Sequence, residues 1–205
     1  MTDLDAHSWV ATTYTSLADL LASADEVWDS PSLCEEWQVR HVVAHVTMPV
    51  RLTPEAFGAE MAAARGDFST MSNTVAARDA ALPVGTLVAQ LRSPRLHTWE
   101  PPGGGADGAV SHAVIHSLDV TVALDRPTVA PTEAVVSVLE RIVAAQGGWF
   151  GVDLAEVRLE ATDLDWSWGA GEVIRTDSGR LVTLVSGRTL PDGQRLAKVG
   201  ATARS

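Results

Sequence analysis

The segment WQVRHVVAHV, residues 37–46, combines apolar residues at the spacing of an amphipathic helix with two histidines four positions apart. Residues four apart lie about 40° apart around a helix and roughly 6 Å along it, so two imidazole rings can approach one point. Pro49 lacks an amide donor and crowds the carbonyl of His45, so we expect the helix to kink or end there. The segment therefore predicts a helix that carries His41 and His45 as a pair.

The same spacing returns in a second segment, where His112 and His116 lie within a helical pattern from Ala109 to Leu124. Imidazole binds zinc, nickel and iron, and three protein ligands with one open position are typical of a catalytic zinc site. For any one of these histidines, a packed core or interface position is the alternative interpretation. Two pairs on separate apolar helices favour a metal site, with zinc the first choice and nickel or iron the alternatives.

Four other residues could take part in catalysis or metal binding, but their positions in the sequence are less informative. His7 and His97 have no partner at helical spacing, and we expect them at the surface or in loops. Asp119 lies one turn beyond His116, so its carboxylate can accept the second imidazole proton, or it can be a solvated acid on the helix face. Cys34 is the only cysteine in the sequence, which excludes an internal disulfide; we expect a small buried group rather than a nucleophile.

The remaining sequence predicts a helical bundle followed by a small mixed unit. Helical patterns extend over residues 5–27, 54–64, 72–81, 84–92 and 133–146, with Thr132 as the cap of the last helix. Pro101 to Gly105 predicts a loop that could border a site. Beyond Gly151, apolar and charged residues alternate from Val157 to Ala161 as in a half-buried strand, and Leu181 to Ser186 fits a short helix or a strand. These patterns predict an α+β fold, with a bundle over residues 1–148 and a small α/β domain over residues 149–205.

Composition limits the classes of function. The chain has 205 residues with 46% hydrophobic content, enough for a substantial core. Its 15 Lys and Arg against 26 Asp and Glu give a net charge of -11, so we expect no nucleic-acid partner and no anionic membrane partner. The sequence shows no secretory signal and no membrane span, which predicts a cytoplasmic protein. A monomer and a homodimer are both compatible with its apolar helix faces.

Several of these motifs resemble one known family. SLCEEW at residues 32–37, VRHVVAH at 39–45 and HAVIHSLD at 112–119 resemble the mycothiol-dependent maleylpyruvate isomerases, a branch of the DinB-like four-helix bundles. EATD at 160–163, WSWG at 166–169 and SGR at 186–188 resemble the family's small C-terminal domain, which is similar to sterol-carrier folds. The resemblance implies metal ligands at His45, His112 and His116, with His41 as a neighbour. It also implies that Arg188 reaches the site and binds a carboxylate of substrate or mycothiol, the alternative being a surface arginine in a turn.

The resemblance implies an enzyme that uses a divalent metal and mycothiol as thiol cosubstrate on a small acidic metabolite. An activated thiolate can add to a double bond, allow rotation and leave, which gives cis–trans isomerisation. The alternatives are a mycothiol S-transferase on the same metal site and a binding module without chemistry. One departure is His112, where the isomerases typically carry glutamate; a neutral imidazole there makes the site more positive and leaves the exact reaction open.

Overall fold

The computed structural model describes residues 2–199. Within them the chain forms ten α-helices and three short strands. The helices are α1 (Asp3–Ala22), α2 (Val39–Val46), α3 (Met48–Arg51), α4 (Pro54–Ala63), α5 (Phe68–Asp79), α6 (Val84–Leu91), α7 (Pro94–His97), α8 (Gly105–Thr121), α9 (Thr132–Ala144) and α10 (Ser178–Val185). None of the helices formed by the described residues is both long and apolar enough to cross a membrane.

Proline and capping signals set the helix limits near the first histidine pair. α2 ends at Val46, and Pro49 lies in the first turn of α3. Amide groups in the first turn have no hydrogen-bond acceptor within the helix, so a proline there costs no helical hydrogen bond. At the start of α4, the Thr53 hydroxyl accepts a hydrogen bond from the Ala56 amide at 3.2 Å. The predicted break at Pro49 and the predicted helix after Thr53 are both confirmed.

Several predicted limits were wrong. α8 begins at Gly105, before the predicted start at Ala109, because the Gly108 amide donates to the Gly104 carbonyl and continues the helical pattern through the glycines. Thr132 does not cap α9 but is its first helical residue, and Pro131 precedes it with φ of -56°. The segment from Leu181 to Ser186, left open between helix and strand, lies mostly in α10.

The strands are β1 (Val157–Ala161), β2 (Ser167–Gly169) and β3 (Glu172–Thr176), and they form one sheet in the order β2-β1-β3. β1 pairs antiparallel with β2 and parallel with β3, so that Leu159 lies opposite Trp168 on one side and Ile174 on the other. Leu159 is fully buried against α10, which also packs on α8 and α9.

The core is continuous between the helices and the sheet. One cluster of buried apolar side chains includes Val10 of α1, Leu118 of α8, Leu139 of α9, Leu159 of β1 and Leu184 of α10. The predicted fold class, a helical bundle with a small C-terminal α/β part, is confirmed. The division between residues 148 and 149 stays a prediction, and residues 200–205 of the predicted second domain lie outside the described residues.

Candidate metal centre

Three imidazole rings meet where α2 packs against α8. His45 comes from the last turn of α2, and His112 and His116 come from successive turns of α8. Their ring centroids lie 4.8–5.2 Å apart, and the Nε2 atoms of His45 and His112 are separated by 3.3 Å. One ligand nitrogen from each ring lies within 4.8 Å of the others. The three residues predicted as metal ligands are therefore neighbours in space.

Helix α2 contributes one of its two histidines to this cluster. Val42, Val43 and Val46 are fully buried, and His45 lies between them with 7% of its surface exposed. His41 points elsewhere, and its Nδ1 accepts a hydrogen bond from the Gln38 amide at 3.2 Å. The helical pair of His41 and His45 therefore does not converge, whereas the pair on α8 does.

Each ring of the cluster is held through its Nδ1 atom. The partners are Ser72 Oγ for His45 at 2.9 Å, Tyr14 Oη for His112 at 3.0 Å and Asp119 Oδ2 for His116 at 2.9 Å. Asp119 was predicted from its position on the helix, whereas Ser72 and Tyr14 were not. A carboxylate can only accept, so Nδ1 of His116 carries the proton and its Nε2 presents a lone pair. The Nδ1 contacts leave the Nε2 atoms for a shared ligand.

The imidazole rings of His45 and His112 are in the protonation state that binds a metal cation. Burial lowers the pKa of His45 to about 3, and burial together with the neighbouring imidazoles lowers the pKa of His112 well below its ordinary value. Both rings are therefore neutral near pH 7, the form that binds metals. Metal-ligating histidines commonly engage their other ring nitrogen with a polar partner, as all three do here. This donor set can hold a divalent cation with room for a further ligand.

Arg188 reaches the centre through Asp119. Its Nε donates to Asp119 Oδ1 at 2.8 Å and its Nη2 donates to Oδ2 at 3.1 Å. Asp119 is 1% exposed; burial alone would raise its pKa, but the hydrogen bonds from His116 and Arg188 hold that pKa well below its ordinary value. The predicted contact of Arg188 with an external carboxylate stays a prediction, because the structure pairs two of its donor groups with a carboxylate of the chain itself.

Cys34 lies beside the same carboxylate. Its Sγ donates to Asp119 Oδ2 at 3.0 Å. Burial raises the pKa of the thiol, and the negative charge of Asp119 raises it further. The thiol is therefore protonated at neutral pH, which agrees with a packed group and opposes a thiolate nucleophile.

The two remaining histidines lie apart from the centre. His7 is on α1, with its Nε2 3.2 Å from Glu100, and His97 is on α7, where its Nε2 contacts the Leu91 carbonyl at 2.8 Å. The prediction placed them at the surface or in loops; the loop alternative is wrong because both are helical, and both remain partly exposed at the surface.

A cavity of about 680 Å³ opens over the three histidines. Its wall consists of Met48, Pro49, Leu52, Thr53, Pro54, Phe57, Phe68, Arg95, Trp99, Pro101 and Pro102 in addition to the three rings. Pro101 and Pro102 belong to the loop that was predicted to border a site. Most of the lining is apolar, and its size and character are typical of a small-molecule pocket.

The N-terminal part of the chain matches a known family model. Residues 10–100 match the family described as the mycothiol maleylpyruvate isomerase N-terminal domain. This part of the chain is therefore similar in sequence to that N-terminal domain. The matched segment includes α2 with His45 and most of the cavity wall, and α8 with the other two histidines lies outside it. No curated protein matches the chain in sequence.

Two solved structures share the maleylpyruvate isomerase fold with this chain. One is a crystal structure of a mutant of the mycothiol-dependent maleylpyruvate isomerase, with a TM-score of 0.58 and 16% identity. The other is a crystal structure of the mycothiol-dependent maleylpyruvate isomerase, with a TM-score of 0.54 and 18% identity. Each comparison covers 97% of this chain and 96% of the other. The resemblance seen in the sequence is thereby confirmed, and it extends to the fold of nearly the whole chain.

Proposed function

We propose that this chain is a metal- and mycothiol-dependent enzyme that catalyses a cis–trans isomerisation of a small acidic metabolite. The observation that carries the proposal is the convergence of His45, His112 and His116, each with its Nδ1 engaged, at the base of a cavity large enough for a substrate. The match of residues 10–100 to the isomerase N-terminal domain supports the choice of thiol and reaction class. Zinc suits three imidazoles best, with nickel and iron as alternatives.

The three histidines, Asp119 and Trp99 have different roles in the proposed reaction. A divalent cation at the three Nε2 atoms would lower the pKa of a thiol that reaches it. Asp119 keeps the proton of His116 on Nδ1, so the lone pair of Nε2 faces the cavity. Trp99 lines the cavity beside the cluster, with its ring centroid 5.4 Å from that of His112.

Bond changes in the proposed isomerisation balance without an oxidant or reductant. Mycothiol, when bound, would supply a sulfur nucleophile that adds reversibly to an activated double bond: the electron pair would move to the substrate's carbonyl oxygen, allow rotation about the resulting single bond, and return to re-form the double bond as the sulfur leaves. We expect Arg188 to assist by donating from Nη1 to an oxygen atom of the substrate or of mycothiol, because its Nε and Nη2 already donate to Asp119.

A mycothiol S-transferase is the second candidate, and the apolar cavity wall favours it. In a transferase the enolate formed by the addition takes a proton, and the thioether leaves as product. An apolar wall suits an alkyl or aromatic electrophile, which is a common partner for a soft thiolate. Both candidates use the same centre, so they differ in the fate of the adduct.

The proposal is tested by turnover with the full chain as purified. Maleylpyruvate and a set of α,β-unsaturated acids are incubated with the protein with and without mycothiol, and the products are separated by chromatography. We expect conversion that requires mycothiol and that is lost in His116→Ala, with Arg126→Gln, an exposed residue after α8, as the control. A cis–trans product indicates the isomerase and a thioether indicates the transferase. No conversion by a protein that retains its metal would indicate a binding module and contradict the proposal.

A further inference from the structure

The cavity over the histidines has an apolar wall that the proposed reaction leaves unexplained. Phe57 of α4 and Phe68 of α5 line it, together with Leu52 and Trp99 from the connections next to α3 and α7. Phe68 keeps 53% of its surface exposed, although large apolar side chains are usually buried in a monomeric chain. Such a wall favours an apolar ligand over a small, strongly polar one.

Arg95 supplies the positive charge of this cavity. It is the charged residue of the lining apart from the histidines, and it lies on the short helix α7. Arg95 is exposed, and one of its amino groups, Nη2, donates to the Leu52 carbonyl at 3.0 Å beside the turn between α3 and α4. Across residues 2–199, Arg95 takes part in none of the ion pairs, which differs from the bidentate pairing of Arg188 with Asp119. The Arg95 guanidinium therefore has donors left for an external anion.

We propose that this site takes an amphiphilic monoanion, with an alkyl or aromatic body against the apolar wall and one carboxylate bound by Arg95. The inference rests on the proposed function, because the ligand's electrophilic carbon would then lie toward the three imidazoles. A second charge placed against the apolar wall would lose its hydration without a partner. The chain has a net charge of -11, so the exposed guanidinium of Arg95 on the cavity lining provides a local positive charge that attracts anions to this cavity. Arg95 determines specificity in this proposal.

Binding measured without thiol tests the assignment separately from turnover. Octanoate, octanamide and butyrate are saturated and inert to thiols, and their dissociation constants are measured by calorimetry on the full chain as purified. We expect octanoate to bind at least tenfold more tightly than octanamide, because a charge-assisted hydrogen bond is stronger than a neutral one. We also expect each methylene between butyrate and octanoate to tighten binding about three- to fourfold.

Substitution of Arg95 provides the decisive comparison. In Arg95→Gln the preference for octanoate over octanamide should disappear, while octanamide binds as in the wild type. Arg95→Lys should retain part of the preference, since it keeps the charge and loses the planar donor fork. Arg126→Gln removes an exposed arginine outside the cavity and should leave all three affinities unchanged. Metal content and unfolding midpoint, measured on each variant, show whether the centre and fold are intact.

Two results would overturn the inference. One is an unchanged preference for octanoate in Arg95→Gln, which would place the carboxylate on the metal or on Arg188. The other is equal affinity for butyrate and octanoate, which would remove the role of the apolar wall. If the wild type shows no mycothiol-dependent turnover but Arg95→Gln loses the octanoate preference, the proposed function fails and the anion site stands. If turnover is observed but the preference is unchanged in Arg95→Gln, the anion site fails and the proposed function stands.

Discussion

The Tyr14 hydroxyl lies 3.0 Å from His112 Nδ1, although 98 positions separate the two residues in the sequence. Tyr14 is 2% exposed, and it reaches the ring because α1 packs along α8. Desolvation raises the pKa of the phenol far above its ordinary value, so the hydroxyl stays neutral. It acts as a fixed polar contact that orients the imidazole.

Tyr14→Phe should weaken metal binding by about tenfold while the fold is retained. The substitution removes the hydroxyl that holds His112 Nδ1, and loss of such an outer contact typically costs about 10- to 100-fold in metal affinity. The ring of phenylalanine keeps the apolar contacts, so the free energy of unfolding of the metal-free protein should fall by only about 1 kcal/mol. Competition with a chromophoric chelator measures the affinity. Thr74→Ala on α5, at an exposed position, serves as the control, and an unchanged zinc affinity in Tyr14→Phe would contradict the account.

Arg188→Gln should destabilise the metal-free protein by about 3 kcal/mol. Asp119 is buried, and without the guanidinium its charge would lack its strongest partner. Urea unfolding in the presence of a chelator measures the loss. Arg92→Gln removes the partner of Asp19, an exposed carboxylate, and should cost less than about 1 kcal/mol. If Arg188→Gln raised the KM for mycothiol without loss of stability, the pairing with Asp119 would be secondary to ligand binding.

The stability of the metal-free protein should fall as the pH is lowered from 7 to 5. The folded protein holds His45 and His112 neutral because burial lowers the pKa of both, whereas the unfolded chain protonates them below about pH 6.5. The unfolded state therefore gains protons first, and each of the two histidines should cost about 2 kcal/mol over this interval. Urea unfolding at the two pH values measures the change.

The control for this pH dependence is the double variant His45→Gln and His112→Gln. It removes both titrating groups, so its stability should depend much less on pH over the same interval. An equal pH dependence in the wild type and the double variant would show that other groups cause the loss.

Cys34→Ser should retain mycothiol-dependent turnover, because the thiol is held protonated and only contacts Asp119 and Arg188. A serine hydroxyl can still donate to the same carboxylate. Initial rates with and without mycothiol measure the effect, with metal content checked in parallel. Loss of turnover in a variant that keeps its metal would make Cys34 part of the reaction.

The sequence was informative where local spacing sets geometry. The apolar period around His45 and the position of Pro49 predicted where α2 lies and ends, because both depend on residues within one or two turns. The spacing of His112 and His116 predicted a pair on one helix face, and that pair converges. His41 has the same spacing to His45 but faces away, since helix packing decides which side of α2 is buried.

The residues that could not be predicted owe their position to long-range packing. Tyr14 and Ser72 are ordinary residues on amphipathic helices, and only the packing of α1 and α5 against the centre gives them an imidazole partner. Arg188 was expected near the site from the resemblance, but its pairing with Asp119 depends on how the C-terminal part packs against α8. The parallel pairing of β1 with β3 likewise has no local signature.

The most direct test of the three-histidine metal centre is elemental analysis of the purified wild type beside His45→Ala, His112→Ala and His116→Ala. His41→Ala, which removes a histidine outside the cluster, is the matched control. We expect about one zinc, nickel or iron per chain in the wild type and in His41→Ala, and loss of that metal in each of the other three variants. A wild type that binds no metal after reconstitution and dialysis would contradict this expectation.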